Sequence, residues 1–159
     1  MTRSKAKRMT GAGLALSVLI GLLAGTGLYT AKYAEATSYL SDDPSACINC
    51  HVMREHYDGW AKGVHHSVAT CNDCHVPSST VARYTTKAVH GWRHSKAFTL
   101  QNFHEPIQIR PDDLLIVERN CVRCHTDVAS HMSALPGPRG VESTSCTHCH
   151  ASVGHGPTR

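Results

Sequence analysis

All eight cysteines of this 159-residue chain fall into one pattern, repeated four times. The repeats are Cys47-Ile48-Asn49-Cys50-His51, Cys71-Asn72-Asp73-Cys74-His75, Cys121-Val122-Arg123-Cys124-His125 and Cys146-Thr147-His148-Cys149-His150. A Cys-x-x-Cys-His motif attaches a c-type haem: two thiols bond the porphyrin vinyl groups, and the adjacent imidazole reaches the iron. Structural zinc also uses Cys-x-x-Cys pairs, but it does not demand a histidine after every second cysteine. Closely spaced pairs make a poor disulfide framework. A thioredoxin-like motif would occur once, inside a βαβ pattern that is missing here. The pattern therefore predicts four covalently bound c-type haems, held by Cys47, Cys50, Cys71, Cys74, Cys121, Cys124, Cys146 and Cys149.

Four macrocycles also decide what kind of fold is possible. The chain has only two Phe and two Trp, so a conventional core would be thin. Covalently tied haems can replace the missing side chains as the organising interior. The motif starts are 24, 50 and 25 residues apart, which reads as two haem pairs joined by a longer middle segment. The expected fold class is mainly α with much irregular loop and little or no sheet: one N-terminal transmembrane helix plus a haem-packed multihaem cytochrome c domain.

The N-terminal part points to a membrane. Residues 9–31 carry no charge, enough to cross a hydrocarbon core of roughly 30 Å. That is longer than the apolar stretch of a cleaved signal peptide, so we read an anchor rather than a leader cut at Ala34-Glu35-Ala36. Arg3, Lys5, Lys7 and Arg8 precede it and should stay in the cytoplasm. The expected organisation is a basic cytoplasmic tail at 1–8, a transmembrane signal-anchor helix at 9–31 and a periplasmic tetrahaem domain at 32–159. This places the chain in a bacterial inner membrane as a single-pass protein in contact with lipid. Without those four bases, the 16 Lys+Arg fall level with the 12 Asp+Glu. Nucleic-acid binding, which needs a basic patch, loses its support.

The motif histidines His75, His125 and His150, with His51 as the uncertain member, are the expected proximal iron ligands. Nine further histidines remain, and low-potential carriers commonly use two His per iron. His66 lies five residues before Cys71 and His155 five after His150, so both are placed to ligate a haem other than their neighbour. Met53, two residues after His51, is a less usual candidate whose bland reading is a packing methionine.

Ser38-Tyr39-Leu40-Ser41-Asp42-Asp43-Pro44 leading into Cys-Ile-Asn-Cys-His-Val-Met, together with Lys87-Ala88-Val89-His90-Gly91-Trp92-Arg93-His94-Ser95, resembles the NapC/NirT family. The resemblance extends from the anchor to His155 and is strongest to small, membrane-anchored subunits of cytochrome c nitrite reductases. It implies that Met53 is the axial ligand of the first haem, leaving His51 off its iron. It also implies the pairs His125 with His155 and His150 with His66. For the second haem it implies His75 plus a ligand from a partner subunit.

Between the haem pairs, Ser78-Ser79-Thr80 should start a helix that runs to about Ala97. Val81, Tyr84, Ala88 and Trp92 make a plausible haem-facing or core stripe. Arg83, Lys87, His90 and His94 share another face, and such basic faces are usually solvated or lie against headgroups. The resemblance implies something sharper, a quinol pocket containing a lysine at Lys87 and an acid one or two turns later. No Asp or Glu follows here. His90 and His94 occupy the corresponding positions, and imidazoles suit a proton acceptor. Pro111-Asp112-Asp113 should open a second helix leading into the third motif, and residues 133–145 read as a breaker-rich loop.

The expected function is oxidation of menaquinol and delivery of its electrons to a periplasmic multihaem nitrite reductase that forms ammonia. The alternatives are donation to a nitrate or trimethylamine N-oxide reductase, or a terminal multihaem reductase.

Overall fold

The computed structural model describes residues 2–132 and 145–157. Of the loop expected at 133–145, only Ser145 lies within the described residues. The chain forms two compact units, Met1–Ser38 and Tyr39–Arg159. All regular structure among the described residues is helical, with no strand, as the composition predicted.

The first unit is one helix, α1 (Thr2–Tyr33). Its segment Thr10–Tyr33, 24 residues, is long and apolar enough to cross a membrane. The few hydroxyls in that segment turn back on the helix. Ser17 Oγ donates to the Gly13 carbonyl at 2.9 Å, Thr26 Oγ1 to Leu22 at 2.7 Å and Thr30 Oγ1 to Thr26 at 2.8 Å. These three hydroxyls are thus satisfied within the helix, as hydrocarbon surroundings require.

The second unit starts with short 3₁₀ turns, Pro44–Asn49 and His51–Met53. Then come α2 (Arg54–Ala61), α3 (Cys71–His75), α4 (Thr80–Leu100), α5 (Pro111–Cys124), α6 (Thr126–Met132) and α7 (Cys146–Cys149). Among the described residues only Ala46, Val76 and Asn120 are buried. The polypeptide alone buries almost nothing apolar, as expected of a chain that folds around covalently tied macrocycles.

Two helices match their sequence signals closely. Helix α4 starts at Thr80 as expected and runs one turn past Ala97, ending where Gln101 adopts a left-handed backbone (φ 54°). Helix α5 starts at Pro111, whose missing N–H costs nothing in the first turn, and Asp112 and Asp113 follow in that turn. It continues through the third motif to Cys124.

The faces of α4 are the reverse of the usual amphipathic arrangement. The polypeptide itself leaves the stripe expected to face core or haem uncovered, with Val81, Tyr84 and Trp92 all exposed. The polar face, expected to be solvated, packs inward: the Lys87 side chain is 9% exposed, His90 22% and Arg83 26%. The reason is that each polar head meets an acceptor on another segment. Asp42 takes Arg83 Nη1 at 2.9 Å, and Asp113 takes His90.

Candidate functional site

Each thiol pair is presented by about one turn of helix, which puts residues i and i+3 on the same side. The second motif is α3 itself. Its start is fixed by the Asp73 carboxylate, which accepts from Thr70 N and Thr70 Oγ1, both at 2.8 Å. The third motif is the last turn of α5, and the fourth is α7. In both, the histidine is the C-cap, with nearly the same backbone: φ −109°, ψ 37° at His125 and φ −111°, ψ 39° at His150. Each imidazole therefore leaves the helix end beside its two thiols, which suits a ring hung from two vinyl carbons over a nearby iron. The first motif is wound differently. Cys47 lies in a 3₁₀ turn, Cys50 is extended (φ −95°, ψ 116°), and His51 opens the next turn.

The four attachment points follow one another in space as they do in sequence. The thiols of Cys47 and Cys71 are hydrogen-bonded to each other. Cys74 lies close enough to Cys124 and Cys121 for their charges to interact, and Cys121 stands in the same relation to Cys146. Cysteine side chains of successive motifs are thereby brought near one another, motif one to two, two to three and three to four.

Helix α5 fastens three of these motifs. Buried Asn120 donates through Nδ2 to the carbonyls of Cys74 (2.9 Å) and Val76 (3.0 Å), satisfying the end of α3. Arg123 adds a bond from Nη2 to the Asp73 carbonyl at 3.2 Å. On the other side, the Glu118 carboxylate accepts from the backbone N–H of Cys146 (2.8 Å) and Thr147 (3.0 Å) and from the hydroxyls of Ser145 and Thr147. It caps α7 from another helix. Burial pushes the Glu118 carboxyl upward, but bonds from Ser145, Thr147 and Cys146 outweigh it and hold the group down at about 2. Sequence reasoning missed both Glu118 and Asn120, for which no local signal exists.

Among the candidate axial ligands, His75 and His155 come together, with ring centroids 5.8 Å apart at 27°. Burial first, then the neighbouring His155 and His90, pull His75 down to about 4. It is thus neutral, as an iron ligand must be. His155 Nδ1 lies 2.9 Å from the His56 carbonyl. A carbonyl can only accept, so Nδ1 carries the hydrogen and Nε2 is left free for a metal. Close approach at α2 makes this possible, because a Cβ at Gly59 would overlap the His155 carbonyl. A cavity of about 460 Å³ opens there, lined by Gly59, Gly63, Val64, Val153 and His155. These residues fit a haem: an imidazole whose second nitrogen is anchored, beside walls that are mostly apolar apart from Lys62 and Ser152. His125 meets the ring of His65 at 6.0 Å, and His66 lies against Trp60 at 4.8 Å. Met53 is half-buried, while His51, His66, His125 and His150 are exposed.

The three residues expected at a quinol pocket separate into two environments. Lys87 Nζ donates to the carbonyls of Leu40 (3.1 Å) and Ser41 (2.8 Å) and to Asp42 Oδ1 (3.3 Å), which engages all three of its hydrogens. Asn72 Nδ2 joins the same loop, donating to the Ser41 carbonyl and to Asp42. Farther along α4, the rings of His90 and His94 stand 6.1 Å apart. His90 Nε2 is 2.9 Å from Asp113 Oδ1. An acid from α5 thus stands beside the α4 histidines, a placement that Pro111-Asp112-Asp113 disclosed only as a helix start.

Comparison with known proteins agrees with this arrangement. The NapC/NirT cytochrome c family, N-terminal region, matches residues 6–114. The cytochrome c-type protein NrfH of Wolinella succinogenes is 37% identical over 150 residues, covering 89% of this chain and 85% of that protein. The cytochrome c nitrite reductase subunit NrfH of Nitratidesulfovibrio vulgaris is 28% identical over 120 residues, covering 72% and 69%. A crystal structure of the cytochrome c nitrite reductase NrfHA complex bound to the HQNO inhibitor contains a chain similar to this one. The TM-score is 0.61 and the identity 27%, over 95% of this chain and 91% of that one. With its Cys-x-x-Cys-His turns and its membrane-length helix, the chain belongs to the NapC/NirT cytochrome c family and carries covalently bound c-type haem.

Proposed function

We propose that the protein is a membrane-anchored tetrahaem cytochrome c that oxidises menaquinol and passes the electrons to a periplasmic multihaem nitrite reductase. The observation that carries this reading is the spatial order of the four attachment motifs, a cysteine of each lying near enough to one of the next to interact with it. A series of that kind suits conduction better than chemistry at one centre. The names of the relatives, both subunits or proteins of the NrfH type, support the identity of the acceptor.

In this reading the eight cysteines hold four haems. Met53, His75, His125 and His150 are the proximal iron ligands, His66 and His155 are distal ones, and His51 stays off the iron. Each haem supplies a one-electron centre, while the protein contributes ligation, burial and orientation. His56 fixes the His155 tautomer through its carbonyl, and α5 holds three attachment turns in register. Lys87, His90 and His94 line the quinol pocket. Residues 1–8 lie in the cytoplasm, 9–31 cross the inner membrane and 32–159 are periplasmic, with the basic N-terminus retained inside.

The deciding experiment mixes the detergent-purified holoprotein anaerobically with a menaquinol analogue and follows the haem absorption. Rapid, substantial reduction is expected. Haems that remain oxidised with quinol yet reduce fully with dithionite would sink the quinol reading.

A further inference from the structure

We propose that Asp113 and His90 form the proton-accepting pair of quinol oxidation, with His90 as the base and Asp113 as its positioning partner. This rests on the quinol-oxidising reading above and adds a residue from a different helix to that site.

The geometry sets the roles. His90 Nε2 lies 2.9 Å from Asp113 Oδ1, and both side chains are mostly shielded, at 22% and 17% exposure. An ionised carboxylate can only accept a hydrogen bond. Nε2 therefore carries the hydrogen, and Nδ1 presents its lone pair as a base. A carboxylate on the far nitrogen of an imidazole fixes the tautomer and stabilises the cation that forms when the near nitrogen takes a proton.

The surroundings suit transfer toward solvent. His94, on the same helix, stands next to His90. It is held below its ordinary range by burial first and then by the neighbouring His90, with Asp113 opposing. Arg93 Nη1 reaches Asp113 Oδ2 at 3.7 Å, and its Nη2 reaches Asp112 Oδ2 at 2.9 Å. Arg110 also pairs with Asp112, at 3.7 Å. From α3, His75 is near enough for its charge to interact with His90 and Asp113. The Asp112 side chain, 54% exposed, marks where this cluster meets solvent.

The step balances as follows. The O–H bond of a quinol hydroxyl breaks to His90 Nδ1, and the electrons left on oxygen go one at a time to ferric haem iron. The second proton leaves by the same route after the first has reached solvent. Overall, one quinol yields one quinone, two reduced irons and two protons released to water.

The test uses full-length holoprotein carrying Asp113→Asn or Asp113→Glu. Asparagine keeps the shape and a hydrogen-bonding oxygen but cannot stabilise a charged ring. Reduction by the menaquinol analogue should slow by about 10- to 100-fold in D113N, less than the roughly 100- to 10,000-fold of a whole acid–base contribution because the His90 base itself remains. The acid limb of its pH profile should move to lower pH, because the carboxylate that favours the charged ring is gone. D113E should recover most of the rate. Binding of a quinone-analogue inhibitor and the dithionite-reduced spectrum should match the wild type, which marks the defect as one of proton transfer rather than of folding or binding. If the wild type is reduced by quinol and D113N shows the same rate and pH profile, the pair is only a tie between helices and the inference is wrong. If the wild type itself is not reduced, the underlying quinol reading fails first.

Discussion

The first attachment motif and the other three are held by different kinds of force. Motifs two, three and four are fastened around α5 by a buried amide, a guanidinium and a carboxylate that together satisfy helix ends. The first motif is approached through residues 40–42, which are tied to α4 by charge: Lys87 and Arg83 on Asp42, with Lys87 also gripping two carbonyls. Asp42 is itself 46% exposed. Exposed ion pairs contribute little to stability, whereas a buried amide that loses its partners is costly. The molecule thus has a firm body of three motifs and a more loosely attached first one, and the first is the only motif wound in 3₁₀ turns.

The sharpest way to break this contrast is at Asn120. Replacing it with Ala leaves the Cys74 and Val76 carbonyls without their partner in a buried place, at a cost of about 2–4 kcal/mol. Thermal unfolding of the holoprotein, followed by Soret circular dichroism, should show the largest drop of any single change proposed here.

Glu118 should come next. Loss of a cap costs about 1 kcal/mol, so Glu118→Gln should destabilise modestly. It should also flatten the acid response. The folded-state value near 2 lies below the ordinary 4.5, so the stabilisation is complete above about pH 4.5. It is lost as pH falls through the folded value. Wild-type stability should therefore decline across that window more steeply than that of the Gln variant. Equal slopes would remove Glu118 from the account.

The smallest effects are expected at the first motif. Asp42→Asn should cost less than about 1 kcal/mol and should weaken further in effect as salt is added. Lys87→Met, which takes the ammonium from the Leu40 and Ser41 carbonyls and from Asp42 while Asn72 still serves Ser41, should exceed it. Resonance Raman of the first haem should respond to Lys87→Met while the other haem signals stay fixed. A global change across all haems would erase the distinction between the two regions.

Much of this was legible in the residues. The attachment motifs, the apolar anchor and the starts of α4 and α5 follow from local chemistry: cysteine spacing, hydropathy, Ser-Ser-Thr and Pro-Asp-Asp. Orientation was not legible. Arg83, Lys87 and His90 look like a solvated face because their partners, Asp42 and Asp113, are distant in sequence. Asn120 and Glu118 are likewise unremarkable polar residues until the helices are assembled, since capping across helices leaves no trace in either segment alone. Histidine pairing has the same difficulty, for His155 lies 99 residues from the His56 carbonyl it binds.

The clasp made by Asn120 has a consequence for how the protein is manufactured. Its partner carbonyl at Cys74 precedes it by 46 residues, so on a growing chain the second motif exists with only its local Thr70–Asp73 cap well before Asn120 can lock it. During that interval Cys71, Cys74 and His75 form an open segment, accessible to whatever machinery joins porphyrin to thiol. Synthesis of α5 then closes it. The helix that carries the third motif is thus also the one that carries the latch of the second.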